Sequence, residues 1–157
     1  MKRKIRKENI TMTNVNIEIT NYRFDVENNE PETISYRAVG TCRRSRDGIK
    51  VEYREPELTG MDGTVTTVTV LDTGVISVNR VGPINTHMVF EAGKMHACIY
   101  DTGYFPVQIG IHTSKMQNSL SDRGGCFDVE YNMEIGGRLA SKNRMKVTVT
   151  PTGPLSV

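Results

Sequence analysis

The chain has 157 residues, of which 37% are hydrophobic and 24% are charged. This composition is typical of one folded globular domain with a sizeable core, and it argues against a disordered chain. No apolar run approaches the roughly 20 residues that a membrane-spanning helix needs, and the N-terminus lacks an apolar stretch of the secretory type. We therefore expect a cytoplasmic protein with no membrane partner.

The positive charge is concentrated at the N-terminus. Residues 1–8 contain five basic residues and one acidic residue, a net charge of +4, so the rest of the chain carries −2 against a formal total of +2. A dedicated nucleic-acid-binding domain carries its positive charge on a folded face. The charge pattern therefore argues against nucleic acid as the main partner of the folded domain.

The three cysteines, Cys42, Cys98 and Cys126, are odd in number and widely spaced, and no two of them form a Cys-x-x-Cys pair. This usage argues against a disulfide framework and against a zinc site made of thiolates. It is typical of reduced, partly buried thiols in a cytoplasmic protein. The sequence thus predicts neither a metal nor any other cofactor.

Turn signals recur along the chain at short intervals, and each contains a glycine, which adopts the positive φ of tight hairpins. In chain order they are Asp47-Gly48, Asp62-Gly63, Asp72-Thr73-Gly74, Ala92-Gly93, Asp101-Thr102-Gly103, Gly124-Gly125 and Gly136-Gly137. Between them lie runs rich in Val, Ile, Thr and Tyr with a period of two, and no segment has an apolar period of 3.6 over three turns. The chain is therefore predicted to be all-β and antiparallel.

The first strands each present one apolar face. Their inward sets are Val15, Ile17 and Ile19; Ile34, Tyr36 and Ala38; and Ile49, Val51 and Tyr53. Tyr22 and Phe24 follow the first set in the opposite phase, which predicts a β-bulge near Thr20-Asn21.

The hairpin at Asp72-Thr73-Gly74 has a clear predicted register. It places Val70 opposite Ile76 and Val68 opposite Val78, with threonine and serine side chains on the solvent face. One face of this hairpin is therefore apolar and the other polar, as expected for a sheet with one wet face.

The hairpin at Ala92-Gly93 is predicted to pair Phe90 with Met95 and Met88 with Ala97 on the inward face. This pairing leaves a glutamate opposite a lysine on the outer face, which is internally consistent.

In that register His87, His96 and Cys98 share the outer face within diagonal reach of one another. Two imidazoles and one thiolate can bind a transition metal. An exposed face, however, lacks the surrounding groups that hold metal ligands rigidly. No metal site is therefore predicted here.

The strand over 126–135 alternates most clearly. Its inward side carries Phe127, Val129, Tyr131, Met133 and Ile135. A three-residue loop, Gly136-Gly137-Arg138, then places Val129 opposite Met145, whereas a two-residue loop puts Leu139 opposite Glu134. Because a slip of one residue inverts every side chain, the sequence favours the three-residue loop.

These segments make about ten strands, including one that Pro106 begins, where a missing N–H is tolerated. A sheet with one wet face and almost no helix must bury its apolar face against itself, as a closed barrel or as a sandwich. Consecutive hairpins favour an antiparallel meander β-barrel of about 8–10 strands. We assign residues 12–151 to this barrel, residues 1–11 to a basic flexible tail and residues 152–157 to a C-terminal tail.

Short segments follow one another in a fixed order along most of the chain. They are Val51-Glu52-Tyr53-Arg54-Glu55, the Thr64–Val70 strand, Arg80-Val81-Gly82, Met88-Val89-Phe90-Glu91-Ala92-Gly93, Tyr100-Asp101-Thr102-Gly103, Gly124-Gly125 and Glu130-Tyr131-Asn132-Met133. Their order and spacing resemble the YwiB-like family, small bacterial proteins of unassigned function. The resemblance runs from about Val15 to Pro151 and implies a lipocalin-like (calycin) β-barrel. It implies no catalytic residues, and the chain has no tryptophan for the Gly-x-Trp signature of true lipocalins.

Ionic side chains fall on the inward side of some predicted strands. Glu55 and Arg80 follow apolar inward positions in phase, and a two-residue turn at Asp47-Gly48 makes Arg44 face Val51. An inward arginine beside a carboxylate could hold the anionic group of a ligand, because a guanidinium offers a planar pair of donors. The alternative is a Glu55–Arg80 ion pair that fixes the register and binds nothing.

The leading interpretation is a non-enzymatic binding module that takes a small, partly apolar ligand in the barrel interior. Its candidate ligand-binding residues are Tyr53, Glu55, Arg80, Met88, Phe90, Ile99 and Tyr131, and Val68, Ile76 and Val78 complete the lining. No catalytic residue is predicted, because the sequence has no G-x-S-x-G turn, no phosphate-binding loop and no Ser/His/Asp arrangement.

Two alternatives stay open. The same apolar residues would also fill a solid core, and the protein would then be a protein-interaction module that uses its outer face or its rim. RNA association is the other alternative, through the basic tail and the Arg43–Arg46 hairpin. No aromatic stacking platform interleaves with that tail, which weakens the RNA hypothesis.

Overall fold

The computed structural model describes residues 12–101 and 103–152. The described residues form ten β-strands and one short 3-10 turn at Glu57–Thr59. In chain order the strands are β1 (Met12–Asp25), β2 (Glu30–Arg44), β3 (Gly48–Arg54), β4 (Val65–Leu71), β5 (Ile76–Val81), β6 (Asn85–Phe90), β7 (Met95–Asp101), β8 (Pro106–Asn118), β9 (Gly125–Ile135) and β10 (Arg138–Pro151). The predicted all-β class is confirmed.

The strands form a closed barrel. Each one pairs antiparallel with its neighbours in sequence, and β1 also pairs with β10. The closing ladder runs from Val15 opposite Pro151 to Asp25 opposite Ser141. The predicted meander barrel is thus confirmed over the sandwich, and closure gives the backbone groups of the first and last strands partners in each other.

The up-and-down topology divides the connections between two ends of the barrel. Those after β1, β3, β5, β7 and β9 lie at one end, and those after β2, β4, β6 and β8 lie at the other. We call the first the polar end and the second the apolar end, after the side chains that line the interior near each.

Apolar side chains fill the half of the barrel next to the apolar end. One inward row of paired residues contains Cys42, Val51, Val68, Val78 and Met88, and the next row contains Ile49, Val70, Ile76 and Phe90. All of them are at most 6% exposed. Full burial of such side chains contributes about 1.5–3 kcal/mol each, so this half is the stabilising core.

The β4–β5 hairpin has the predicted register. Val70 lies opposite Ile76, and Val68 lies opposite Val78. All four side chains are buried. The prediction succeeded because only one face of each strand is apolar.

The β9–β10 turn is one residue shorter than predicted. Arg138 pairs with Ile135, so the turn contains Gly136 and Gly137 alone. Their φ angles are 62° and 78°. Positive φ at both central positions is the type I′ geometry that matches the twist of a hairpin, and paired glycines adopt it without strain.

A β-bulge then restores the predicted strand pairing. Leu139 does lie opposite Glu134, but the register shifts between Leu139 and Ser141. Beyond this bulge Val129 faces Met145, as predicted. The extra residue that the sequence pattern places in the loop is therefore in the strand.

The predicted register of the β6–β7 hairpin is wrong. His87 pairs with Ile99, so Ile99 points outward and is 54% exposed. Met95, which was predicted to face the buried Phe90, is 48% exposed. Residues 95–101 are apolar on both faces, and therefore the pattern could not choose between two registers that differ by one residue.

The predicted bulge near Thr20-Asn21 is also wrong, because β1 runs without a break in register along both β2 and β10. Tyr22 and Phe24 keep the outward phase. The guanidinium carbon of Arg144 lies 5.8 Å from the centroid of the Tyr22 ring, and Asp128 holds that guanidinium at 2.7 Å. A cation–π contact thus covers a ring that the sequence pattern assigns to the interior.

Both predicted tails fall mostly outside the described residues. The structure describes nothing of residues 1–11 or 153–157. Among the described residues, no helix is long and apolar enough to cross a membrane.

Candidate ligand-binding site at the polar end

A row of inward-facing residues crosses the barrel just inside the polar end. Each member lies opposite the next across a ladder, and in order they are Gly40, Tyr53, Thr66, Arg80, Thr86, Tyr100 and Val107. The row beneath it is the apolar row that contains Val51 and Val78. The interior therefore changes from apolar to polar within two residues along each strand.

Strand alternation carries the ionic groups inward. Arg80 follows Val78 in phase near the end of β5, and Glu55 follows Tyr53 directly after β3. The side chain of Glu55 is 0% exposed, and that of Arg80 is 11% exposed. Both groups therefore lie in an environment where an unpaired charge is costly.

Glu55 is held by three neighbours. The Tyr36 hydroxyl donates to its Oε1 at 3.1 Å, and the Thr66 hydroxyl donates to its Oε2 at 2.5 Å. Arg80 Nε lies 3.5 Å from the same Oε2. The predicted Glu55–Arg80 ion pair is thus confirmed, and the two hydroxyl donors stabilise the buried carboxylate alongside it.

Tyr36 reaches Glu55 across a gap in the barrel wall. β2 and β3 pair only from Gly40 to Arg44 on the β2 side, and Tyr36 lies beyond the end of that ladder. The gap opens into a cleft of about 660 Å³, which we call the β2–β3 cleft. Its lining is Asn16, Arg37, Ala38, Val39, Gly40, Thr41, Glu52, Tyr53, Arg54, Glu55, Pro56 and Val65.

The phenols beside Glu55 are hydrogen-bond donors at neutral pH. Burial raises the pKa of Tyr36 far above its usual value, and the neighbouring Tyr53 and Glu55 raise it further. Burial, followed by the charge of Glu55, raises the pKa of Tyr53 to about 12. Both phenols therefore stay protonated, and they can donate to a carboxylate or to a ligand.

Tyr131 connects the apolar core to the cationic groups of the polar end. Its ring packs edge-to-face on Phe90, with centroids 4.8 Å apart. Burial raises the pKa of Tyr131, while the charges of Arg80 and Arg23 oppose that shift. Two guanidinium groups therefore act on this phenol from different strands.

Four buried polar atoms have no hydrogen-bond partner within the described part of the chain: Thr64 Oγ1, Arg80 Nε, Thr86 Oγ1 and Thr113 Oγ1. The first three lie at the polar end, and Thr113 pairs with Tyr131 across the β8–β9 ladder. Thr64 is 0% exposed and Thr86 is 4% exposed. An unmade hydrogen bond on a buried group costs about 1–3 kcal/mol. The polar end thus has unused capacity to bind polar atoms.

Comparison with known proteins gives a family but no activity. A family model described as a domain of unknown function (DUF1934) matches residues 17–147. The chain belongs to this family. Among curated proteins, none matches. The crystal structure of the ywiB protein from Bacillus subtilis is similar, with a TM-score of 0.80 and 18% sequence identity over 92% of this chain and 96% of that chain. The predicted YwiB-like family and its calycin-type barrel are therefore confirmed, and this likeness concerns the fold alone.

The DUF1934 barrel brings only part of the predicted binding set together. Tyr53, Glu55 and Arg80 lie at the polar end, and Tyr131 packs between them and the core. Met88 and Phe90 are buried beneath that group. Ile99 is the error in the predicted set, because the β6–β7 register turns it to the outer surface.

The prediction missed Tyr36, Thr66, Thr86 and Arg23 as neighbours of the site. Tyr36 belongs to an inward set that the sequence does indicate, and Thr66 and Thr86 lie in phase with buried neighbours. Hydroxyl groups in the inward phase are therefore the signal that was available. Tyr36 can reach Glu55 only because β2 and β3 separate beyond Gly40. The alternation of residues along one strand does not specify where two strands separate.

Arg44 is not part of the interior. It pairs with Ile49 at the end of β2, and its Nη2 donates to Asp72 Oδ2 at 2.6 Å. The prediction that Arg44 faces Val51 inside the barrel is wrong, because Ser45 N donates to Gly48 O across a turn at Arg46-Asp47, one residue earlier than predicted. Cys42 therefore faces Val51, and Arg44 lies at the rim of the apolar end.

The His/Cys group of the DUF1934 barrel is dispersed. His87 is exposed and Cys98 is buried, and His96 Nε2 lies 3.0 Å from Glu91 Oε1. Among residues 12–101 and 103–152, no three His, Cys, Asp or Glu side chains are grouped to hold a metal ion. The predicted common outer face of these three side chains is therefore wrong.

Proposed function

We propose that this DUF1934 protein is a non-enzymatic binding protein that takes a small, partly apolar molecule at the polar end of its barrel. The observation that carries this proposal is a pair of buried threonine hydroxyls with no hydrogen-bond partner in the described part of the chain, Thr64 Oγ1 and Thr86 Oγ1. A bound molecule that supplies polar atoms to them would offset the cost of their burial.

The surroundings of these atoms support a mixed ligand. Tyr53 and Tyr131 present aromatic rings with protonated hydroxyls, and Phe90 and Met88 form an apolar layer beneath them. Small-molecule sites combine such apolar walls with a few placed polar groups. Because side chains fill the apolar half, the ligand would lie at the polar end rather than along the full barrel axis.

The state of the two buried thiols argues against Cys42 and Cys98 as catalytic nucleophiles. Burial raises the pKa of Cys42 and of Cys98, so both are protonated and poor nucleophiles at neutral pH. All three cysteines, including the exposed Cys126, are free. Free thiols also support the proposal of a cytoplasmic location, since reducing compartments keep them in this form.

Native mass spectrometry of the full chain purified from its own host tests the ligand hypothesis. We expect a retained small molecule that is lost on denaturation, and amide shifts confined to the polar end when the denatured-and-refolded protein is titrated with the released compound. A spectrum of unliganded protein, together with no amide shift from any member of a fragment library, would contradict the hypothesis.

A second candidate function, protein interaction, is favoured by one observation. Within the described residues, the edge of β2 that faces β3 has no ladder partner from Glu30 to Val39. Exposed sheet edges bind extended peptides by strand addition. The adjoining β2–β3 cleft offers apolar contacts from Val39, Pro56 and Val65, so the fitting partner is an extended apolar segment of another protein.

Hydrogen exchange tests this second candidate. The amides of residues 33–39 that face the cleft should exchange quickly in the free protein and become protected in a complex with the partner segment. Val39→Asp, which puts a charge on the cleft wall, should abolish the complex, whereas Val81→Asp on another exposed apolar position should not. Unchanged exchange over residues 33–39 on complex formation would exclude strand addition.

A further inference from the structure

The ion pair with Glu55 uses only one side of the Arg80 guanidinium. Nε faces Glu55 Oε2 at 3.5 Å. Of the three guanidinium nitrogens, Nε is the one that is buried without a hydrogen-bond partner in the described part of the chain. The two terminal nitrogens therefore keep contact with solvent, and no described residue accepts a hydrogen bond from them.

Glu55 cannot turn away from this arrangement. Its two oxygens accept hydrogen bonds from Tyr36 and Thr66, and its side chain is 0% exposed. It therefore acts as a positioning residue, which holds the Nε side of Arg80 and leaves the terminal pair of N–H groups directed away from the carboxylate. That terminal pair is the end of a guanidinium that binds a planar oxyanion with two parallel hydrogen bonds.

A second cation lies at the same end of the barrel. Arg23 is exposed on β1, where it lies opposite Glu32 in the β1–β2 ladder. The charge of Arg23, like that of Arg80, reaches Tyr131. Acidic residues of the same end, among them Asp25, Glu27 and Glu30, lie beside Arg23, so the preference for an anion rests on the free terminal nitrogens of Arg80.

We propose that the ligand of the polar end carries an oxyanion, a carboxylate or a phosphate, bound by the two terminal nitrogens of Arg80. This inference rests on the proposed binding function and specifies the charged group of its ligand. The apolar remainder of the ligand would contact the rings of Tyr53 and Tyr131.

Three aromatic probes of similar size test the inference. Benzoate and phenyl phosphate carry the two anionic groups, and benzyl alcohol is the neutral control. Each is titrated at low ionic strength into the full chain, and the amide shifts at the polar end are followed by NMR. We expect at least one anion to bind about tenfold tighter than benzyl alcohol, which corresponds to about 1.4 kcal/mol. The stronger of the two anions identifies the oxyanion.

Variants assign the preference to Arg80. The Glu55→Gln/Arg80→Met double variant removes both charges and leaves no buried carboxylate unpaired, and it should bind the two anions no tighter than benzyl alcohol. Arg80→Lys keeps the charge but not the forked end, and it should lose most of that preference. Arg46→Met, at an exposed turn of the apolar end, should keep it in full.

The outcomes separate this inference from the proposed function. Equal binding of the anions and benzyl alcohol at the polar end would overturn the oxyanion assignment and leave the binding function in place. An anion preference that survives in the double variant would also overturn the assignment to Arg80. Absence of any shift at the polar end with all three probes would overturn both proposals.

Discussion

The buried Glu55–Arg80 pair makes a quantitative prediction about stability. In Arg80→Met the carboxylate of Glu55, which is 0% exposed, would keep the hydrogen bonds from Tyr36 and Thr66 but lose its cation. Removing one partner of a buried ion pair costs about 3–5 kcal/mol. Because the two hydrogen bonds to the carboxylate remain, we expect the free energy of unfolding to fall by about 3 kcal/mol, the lower end of this range. For a domain of this size that loss lowers Tm by about 6–12 °C.

The double variant Glu55→Gln/Arg80→Met should recover most of this loss, because neutral side chains of similar volume replace a buried ion pair at little cost. Urea unfolding at neutral pH, followed by circular dichroism, measures both variants provided that their m-values agree. Arg46→Met is the matched surface control and should change stability by less than about 0.5 kcal/mol. A loss below about 1 kcal/mol in Arg80→Met, or a double variant that is no more stable than Arg80→Met, would refute the reasoning.

Four further predictions concern other parts of the barrel. Tyr36→Phe removes a donor to the buried carboxylate and should lower the free energy of unfolding by about 1–3 kcal/mol in urea, with no change in the proposed Arg80 geometry. Gly137→Ala should lower the free energy of unfolding by about 1–2 kcal/mol. The cause is the positive φ of 78°, because an added Cβ would meet no atom within 4 Å. A neutral result would contradict the type I′ turn. The hydrogen bond from Arg144 lowers the pKa of Asp128 below its usual 3.8, so this carboxylate stabilises the fold above that value and the stabilisation disappears as the pH falls through the lowered pKa. Asp128→Asn should therefore reduce stability at neutral pH and make no difference in strong acid, and a pH-independent effect would exclude the ion pair as its cause. Cys126 should react with a thiol reagent in the native protein, while the two buried thiols should react only on unfolding. Rapid modification of all three would contradict the burial of Cys42 and Cys98.

A strand register can be predicted from the sequence when the two faces of the strand differ in polarity. Val68, Val70, Ile76 and Val78 alternate with threonine, serine and asparagine, so burial permits one register and the β4–β5 hairpin follows it. In β7 the outward-facing Ile99 is as apolar as its inward neighbours. Burial energy then discriminates poorly between the two registers of the β6–β7 hairpin. The length of the loop decides which register forms, and the sequence pattern does not fix that length.

The candidate site was predictable in composition more than in arrangement. Glu55 and Arg80 were found because strand alternation continues through them, and their contact needs only that neighbouring strands pair in order. The bond from Tyr36 to Glu55 joins strands at the point where their ladder ends, and that point depends on strand stagger around the whole barrel. Short-range patterns contain no information about stagger, so the β2–β3 cleft could not be anticipated.

The ladder between β1 and β10 has a consequence for how the molecule is made. Residues of β1 find their partners in β10, the last of the ten strands to be synthesised, as Ile17 does with Val149. Contacts so distant in sequence slow folding, since the chain must close its longest loop before they contribute. On the ribosome one side of β1 would stay unpaired until β10 has been synthesised, which exposes that side to chaperones in the meantime.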